Sequence, residues 1–228
     1  MRRDPNRLII CGGLFCGMLL PEDSIQAISE PQIQQNAMIV PVGDGRFRCY
    51  LMHRSDARPL LSGRGAVTAF AAGCVASGAS EDWFEDVDLV GPLSSFDAAD
   101  RWVDHPYHNG IALIGDAAAT SNPCFGSGLS LALRDVRVVG DCLATTANRA
   151  LAATAYADEH RSYYDRLRML HGWAQQLFFG VGPAADGLRS QAMPKLVNDP
   201  SRRPDTVGIG PEAPNDEFAR RRFLGYCE

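Results

Sequence analysis

The sequence predicts an α+β protein in which an antiparallel sheet, a strand–Gly-Asp loop–helix unit and a long C-terminal helix follow one another. Three observations carry this reading. Residues 37–42 and 46–53, rich in β-branched and aromatic side chains, flank Gly43-Asp44-Gly45 and read as an antiparallel hairpin. Ile111-Ala-Leu-Ile114 is an unbroken apolar run that ends on Gly115-Asp116 and leads through a turn-rich loop into an amphipathic helix. Residues 150–179 keep helical spacing throughout. The chain accordingly divides into 1–106, a sheet region with helices; 107–145, the strand–loop–helix unit; and 146–228, the long helix with a tail rich in Pro and Gly.

Taken in order, residues 7–11 read as a strand followed by Gly12-Gly13-Leu14-Phe15-Cys16-Gly17. This stretch imitates the dinucleotide fingerprint Gly-x-Gly-x-x-Gly and fails it, because the second glycine would fall on Leu14. Pro21 then cuts off the helix that the fingerprint requires. In the hairpin, Arg46, Arg48 and Tyr50 share one face of the second strand, and Phe47, Cys49 and Leu51 share the other. The first set either lines a site or is a solvated sheet face. Residues 65–76 are alanine-rich and helical, between Gly63 and Gly78. Ser80-Glu81-Asp82 caps a short helix carrying Trp83 and Phe84, and residues 89–96 form another strand.

The central unit has definite chemistry. Residues 111–114 suit a strand buried on both faces, with Gly115 and Asp116 at its carboxyl end. Leu129, Ala132, Leu133, Val136, Val139 and Leu143 give the following helix an apolar face, and Arg137 and Asp141 can pair on the other side. A carboxylate accepts hydrogen bonds only, so Asp116 suits a polyol hydroxyl. Gly126 and Gly128 allow close approach of a flat ligand, and the first amides of the helix favour an anion. The competing reading is an ordinary strand-to-helix connection in which Asp116 bonds its own loop.

Beyond it, residues 150–179 carry an apolar stripe of Tyr156, Tyr163, Leu167, Leu170, Ala174 and Leu177, with Arg161, Asp165, Arg166 and Arg168 facing outward. Residues 180–214 show no sustained periodicity and read as loop or tail. Asn215-Asp216 caps a last short helix through Arg222, whose Arg220-Arg221-Arg222 end is solvated.

Gly115-Asp116-Ala117-Ala118, Pro123, Gly126-Ser127-Gly128 and Asp135 stand in the register of the second flavin-binding motif of FAD-dependent monooxygenases of the p-hydroxybenzoate hydroxylase type. The run resembles that motif at all these positions. The resemblance implies a partial FAD/NAD(P)-binding fold, in which Asp116 binds the ribityl chain of FAD. It implies also that Gly115, the loop from Pro123 through Gly126 to Gly128, and the amides of Leu129 and Ser130 lie along the ribityl chain and the pyrimidine edge. Two positions depart from the family: Ala119 replaces a common His, and Ser130 replaces a common Asn. Neither removes a backbone contact.

The similarity runs from about Arg7 to Leu177 and takes in the family's substrate-side sheet, second flavin motif and closing helix. The family's glycine-rich first turn, which holds the FAD pyrophosphate, and its later Asp-Gly motif have no counterpart here. The chain therefore resembles the C-terminal portion of such an enzyme, truncated, and the isolated chain is expected to be colourless or substoichiometrically yellow. The resemblance implies NAD(P)H as electron donor, O2 as co-substrate and a small organic substrate, and the expected partner is a complementing chain or a second copy in a homodimer. It designates no catalytic acid.

Composition narrows the classes further. The net charge of −5 with no basic patch argues against nucleic acid. The apolar stretch 8–20 is broken by Gly12, Gly13 and Gly17 and is too short for a membrane span. Arg2 and Arg3 ahead of it imitate a signal peptide without a cleavage site, so a cytoplasmic protein is expected. Seven cysteines, at 11, 16, 49, 74, 124, 142 and 227, form no Cys-x-x-Cys pair, and no His stands at zinc-ligand spacing. Cys124, beside the loop, is either reactive or a buried thiol. Two functions stay open: an FAD-dependent monooxygenase, and a non-catalytic relative that binds a small molecule or a partner.

Overall fold

The computed structural model describes residues 1–5, 8–30, 35–56 and 58–227. They form two compact units: Asn6–Ala98 with Phe178–Gly182, and Met1–Pro5 with Ala99–Leu177 and Pro183–Glu228.

The first unit is an antiparallel sheet in the order Gln26–Glu30, Gln35–Gly43, Arg46–Arg54, Leu8–Cys16, Asp88–Leu89, with Ser94–Asp97 also pairing along Leu8–Cys16. The expected hairpin is its centre. Asp44 and Gly45 hold φ at 55° and 67°, as a tight two-residue turn requires, and Gly supplies this at no steric cost. Leu8–Cys16 is a single nine-residue strand with antiparallel neighbours, so the rejection of a dinucleotide turn here stands; Arg7 lies outside the described residues. Its glycines serve packing instead. A Cβ on Gly12 would come within 2.9 Å of the Tyr50 ring, and one on Gly13 within 2.9 Å of Leu89.

Phe47, Cys49 and Leu51 are buried on one face and Arg48 is exposed on the other, as the alternation predicts. The helix α1 (Val67–Ala76) covers the buried face through Phe70 and Cys74. Burial pushes the Cys49 thiol up to about 12 and Cys74 higher still, which makes both inert packing groups. Around Trp83 there is one short turn, Glu81–Phe84, and Ser80 makes no side-chain cap. Residues 89–96 are two strands, Asp88–Leu89 and Ser94–Asp97, rather than one. Gly91-Pro92 separates them, and proline has no N–H to give a ladder.

The second unit contains two small antiparallel ribbons and the helices α2 (Gly128–Thr145), α3 (Arg149–Phe178), α4 (Pro183–Asn198) and α5 (Glu217–Phe223). In α3, Tyr156, Tyr163, Leu167, Leu170 and Leu177 are buried as expected. Arg168 is not simply outward: its guanidinium lies 3.6 Å from the Trp102 ring centre. Residues 183–198 are helical where loop was expected. Only Leu188 and Ala192 of α4 are buried, too few to leave a periodic signal. The cap of α5 is as expected, with Asp216 accepting from the Ala219 N–H at 2.7 Å, but Arg222 is not free: it binds Asp199 at 2.7 Å.

Two further expectations are corrected. Residues 111–114 are not a strand buried on both faces. The turn Asn109-Gly110, with φ 48° and 86°, folds Ile111–Ala112 back on Tyr107–His108, and Ile111 is 65% exposed. No other described strand flanks it. The apolar face of α2 is only partly covered: Leu129, Leu133, Val136 and Leu143 are exposed, whereas Val139 packs against the α2–α3 cluster and Ala132 lies beside Gly115, and the most buried residues are Leu131, Asp135 and Val138. Leu131 and Val138 pack with Tyr156, Tyr163, Tyr164 and Leu167 of α3. No ion pair joins Arg137 to Asp141 among the described residues. Leu133→Lys should change stability by no more than about 0.5 kcal/mol, whereas Leu131→Ala should cost about 2–5 kcal/mol, both read from urea midpoints.

Candidate functional site

The Gly-Asp turn is held from beneath. Gly115–Ala117 forms one 3₁₀ turn, closed by the Ala118 N–H donating to the Gly115 carbonyl at 2.9 Å. Gly115 has φ 57°, a left-handed conformation that favours glycine, and a Cβ there would sit 3.4 Å from the Ala132 side chain of α2. Its N–H donates to Asp135 Oδ2 at 2.7 Å. Asp135 is 1% exposed. Its Oδ1 accepts from the Tyr163 hydroxyl and from His160 Nδ1, the latter at 2.9 Å. Burial, together with Asp135, holds the Tyr163 phenol well above its usual range, so it serves as a donor.

Asp116 itself is exposed and takes no hydrogen bond from any described residue. This bears on the competing reading of the turn. In an ordinary connection the carboxylate would be consumed by its own loop; here the loop is satisfied without it. The turn's restraints come from Asp135 instead.

The second segment is also fixed by groups other than the candidate ligands. Asn122 is fully buried; its side chain accepts from the Cys124 N–H at 3.0 Å, and its own N–H donates to Asp100 at 2.6 Å. Pro123–Phe125 is a 3₁₀ turn ended by Gly126 at φ 69°. Phe125 stacks on His171 of α3 with centroids 4.3 Å apart, and the Ser127 hydroxyl contacts His171 Nε2 at 3.2 Å. Burial lowers the His171 pKa to about 4, so its ring is neutral near pH 7. Burial pushes the Cys124 thiol up to about 12, which places it among the packing thiols rather than the reactive ones.

Ser127 leads into α2 without a side-chain cap, leaving the first-turn amides of Gly128, Leu129 and Ser130 without intrahelical partners. A Cβ built on Gly126 or on Gly128 would meet nothing within 4 Å. Pro123, Gly126, Leu129 and Ser130 are exposed. The fold thus brings the two candidate segments to the N-terminal part of α2: the Gly115 turn packs beside Ala132, and the Pro123–Gly128 loop runs into the helix.

Sequence reasoning missed the supporting groups. Asp135 was legible only as a motif position, and His160, Tyr163 and His171 only as members of a helix. One signal was available for Asp135: an acid spaced between Leu131 and Val138, the residues that α2 buries.

No family model matches the chain. Kynurenine 3-monooxygenase of Salinispora tropica is 30% identical over 97 residues, which cover 39% of this chain and 21% of that protein. Among solved structures, OxyS anhydrotetracycline hydroxylase from Streptomyces rimosus superposes with a TM-score of 0.63 at 17% identity, over 98% of this chain and 41% of that one. Klebsiella pneumoniae HpxO, complexed with FAD and uric acid, superposes with a TM-score of 0.54 at 20% identity, over 74% of this chain and 43% of that one. The chain spans about a fifth of the length of the matched curated relative and less than half of these two structures. Its fold is that of part of the flavin-dependent hydroxylases and halogenases.

Proposed function

We propose that this chain carries the flavin-contacting part of an FAD-dependent monooxygenase that hydroxylates a small organic substrate with O2 and NAD(P)H. The observation that carries the reading is Asp116: an exposed carboxylate with no partner of its own, on a turn whose geometry is set by Asp135. A group so placed is available to ribityl hydroxyls. The open backbone at Gly126 and Gly128 and the unpaired first amides of α2 support contact with the ribityl chain and the electron-accepting edge of the ring.

When bound, the flavin supplies electron transfer and activation of O2. The chain's own part is to bind and to orient. Gly115, Asp116, Pro123, Gly126, Gly128, Leu129 and Ser130 form the proposed contact set, and Phe125 with Ser127 seats the loop on α3. A cytoplasmic setting fits seven cysteines of which none is in a disulfide.

A second reading, a non-catalytic relative that binds a partner chain, draws support from the exposed apolar residues Ile111, Ile114, Leu129, Leu133 and Val136. FAD titration by flavin fluorescence separates the two, on the chain alone and fused to a glycine-rich dinucleotide-binding segment. Asp116→Ala should weaken FAD by about 1.5–3 kcal/mol, the scale of a hydrogen bond to a charged group. Asp116→Asn should lose less. Gly128→Val should block binding with little change in the melting temperature, because a Cβ added there meets no atom within 4 Å outside its own stretch of chain. Wild-type affinity in both Asp116→Ala and Gly128→Val would remove the flavin reading.

A further inference from the structure

We infer that Asp135 is a positioning residue for the Gly115–Asp116 turn, with its carboxylate locked by His160 and Tyr163 of α3. The inference rests on the proposed role of Asp116, which it extends from the exposed ligand group to the buried groups that aim it.

Hydrogen-bond capacity fixes how the Asp135 carboxylate is turned. A carboxylate turns easily about its last side-chain bond unless both oxygens are engaged. Here Oδ1 accepts two donors, Tyr163 Oη–H and His160 Nδ1–H, while Oδ2 faces the Gly115 N–H at 2.7 Å. Rotation that freed Gly115 would break both contacts on the other oxygen. His160 and Tyr163 stand three residues apart on α3, and neighbours at that spacing share a helix face. Asp135, His160 and Tyr163 are all nearly or wholly buried, and low exposure strengthens these bonds.

The assembly holds more than a helix–helix contact needs. Leu131 and Val138 already join α2 to α3 through Tyr156, Tyr163 and Leu167. What Asp135 adds is the bond to a backbone amide outside either helix, at a glycine whose φ of 57° places it outside the ordinary helical region. Asp116 follows that glycine directly. Loosening Gly115 therefore spreads Asp116 over more orientations, each of which a bound polyol must overcome. The His160 ring is held by its Nδ1 bond and by stacking on Tyr164, centroids 5.8 Å apart.

The test reads the turn itself. Amide hydrogen exchange, followed by NMR on the whole chain, compares Gly115 with Val138 in the middle of α2. In Asp135→Ala the Gly115 amide should exchange ~10-fold or more faster relative to Val138, the scale set by losing a bond to a charged acceptor. Asp135→Asn should restore most of the protection, since its amide oxygen can accept the same N–H. His160→Phe and Tyr163→Phe, each deleting one donor while keeping a ring, should give intermediate loosening; they carry the comparison should Asp135→Ala fail to fold.

Equal changes at Gly115 and Val138 in all variants would overturn the inference, leaving Asp135 as a tie between helices. FAD titration on the same variants, fused to the glycine-rich dinucleotide-binding segment, adds a second arm. Weaker binding in His160→Phe and Tyr163→Phe, restored affinity in Asp135→Asn, and a loss in Asp116→Ala are the expected set. A loss in Asp116→Ala with unchanged affinity in the loosened variants would defeat the positioning role and keep the flavin reading. A neutral Asp116→Ala with a loosened Gly115 would defeat the flavin reading and keep Asp135 as the group that sets the turn.

Discussion

Phe15→Ala is expected to destabilise the sheet unit by about 3–5 kcal/mol, the range for removing a fully buried aromatic ring and leaving a cavity. Phe15 is wholly buried on the strand Leu8–Cys16, which pairs on one side with Arg46–Arg54 and on the other with Asp88–Leu89 and Ser94–Asp97. Its ring stacks on Phe70 of α1, centroids 5.4 Å apart and planes 16° apart. Deleting it removes the contact between sheet and helix at the strand with most partners. Collapse into the void is hindered because Gly13, next but one, offers no side chain to fill it, and a Cβ added there would already crowd Leu89 and Leu93. Phe15→Leu, which keeps most of the volume, should cost much less. Urea unfolding followed by fluorescence of Trp83, in the same unit, measures both. A loss under 1 kcal/mol in Phe15→Ala would mean that this strand is not the centre of the core.

Leu8–Cys16 also shows what kind of information the sequence held. Glycines in an apolar run are compatible with a phosphate-binding turn and with a strand beneath an aromatic ring. Spacing excluded the first, since Leu14 stands where a glycine is needed. It could not reveal that Tyr50 lies over Gly12, which depends on register with another strand. The hairpin at Asp44-Gly45 and the cap at Asp216 were legible because local chemistry decides them: a positive φ in one, a side chain reaching a nearby amide in the other. Helix α4 was not, because its weak amphipathicity leaves no periodic trace.

The open face of α2 marks a different limit. Periodicity says which side of a helix is apolar, not whether anything covers it. Both the Leu129–Leu133–Val136 stripe and the Leu131–Val138 stripe are written in α2, and only the second is buried. For the candidate site the division is similar. The exposed candidate positions and Asp135 were legible as a motif, while the bonds Asp135 makes and the supporting groups His160, Tyr163 and His171 become visible only when α3 is laid beside the loop.

His171→Phe and Asp100→Asn should separate two opposing pH dependences that nearly cancel in the native chain. His171 is 2% exposed, and burial lowers its pKa to about 4. An unfolded histidine takes its proton near pH 6.5, so between these values the unfolded state binds more protons. The stability from neutral His171 is full above 6.5 and is lost as pH falls toward 4, about 3 kcal/mol in all. Asp100 is 4% exposed and shifts the other way: burial raises it to about 6, against the Asn122 N–H and Arg168, which lower it. Between pH 6 and 4 the folded state binds the extra proton, so this group adds stability as pH falls, again about 3 kcal/mol. The two windows overlap almost completely. Asp100→Asn keeps an acceptor for Asn122 and removes the titration; its stability should fall by about 3 kcal/mol from pH 6.5 to 4 relative to native. His171→Phe keeps an aromatic ring against Phe125 and should show the reverse, losing stability as pH rises from 4 to 6. Because Phe125 and Ser127 seat the Pro123–Gly128 loop on His171, acid loosening in Asp100→Asn should reach the Gly126 and Gly128 amides first. Urea midpoints at half-unit pH steps measure the three profiles, and three parallel curves would show that neither burial carries a proton-linked cost.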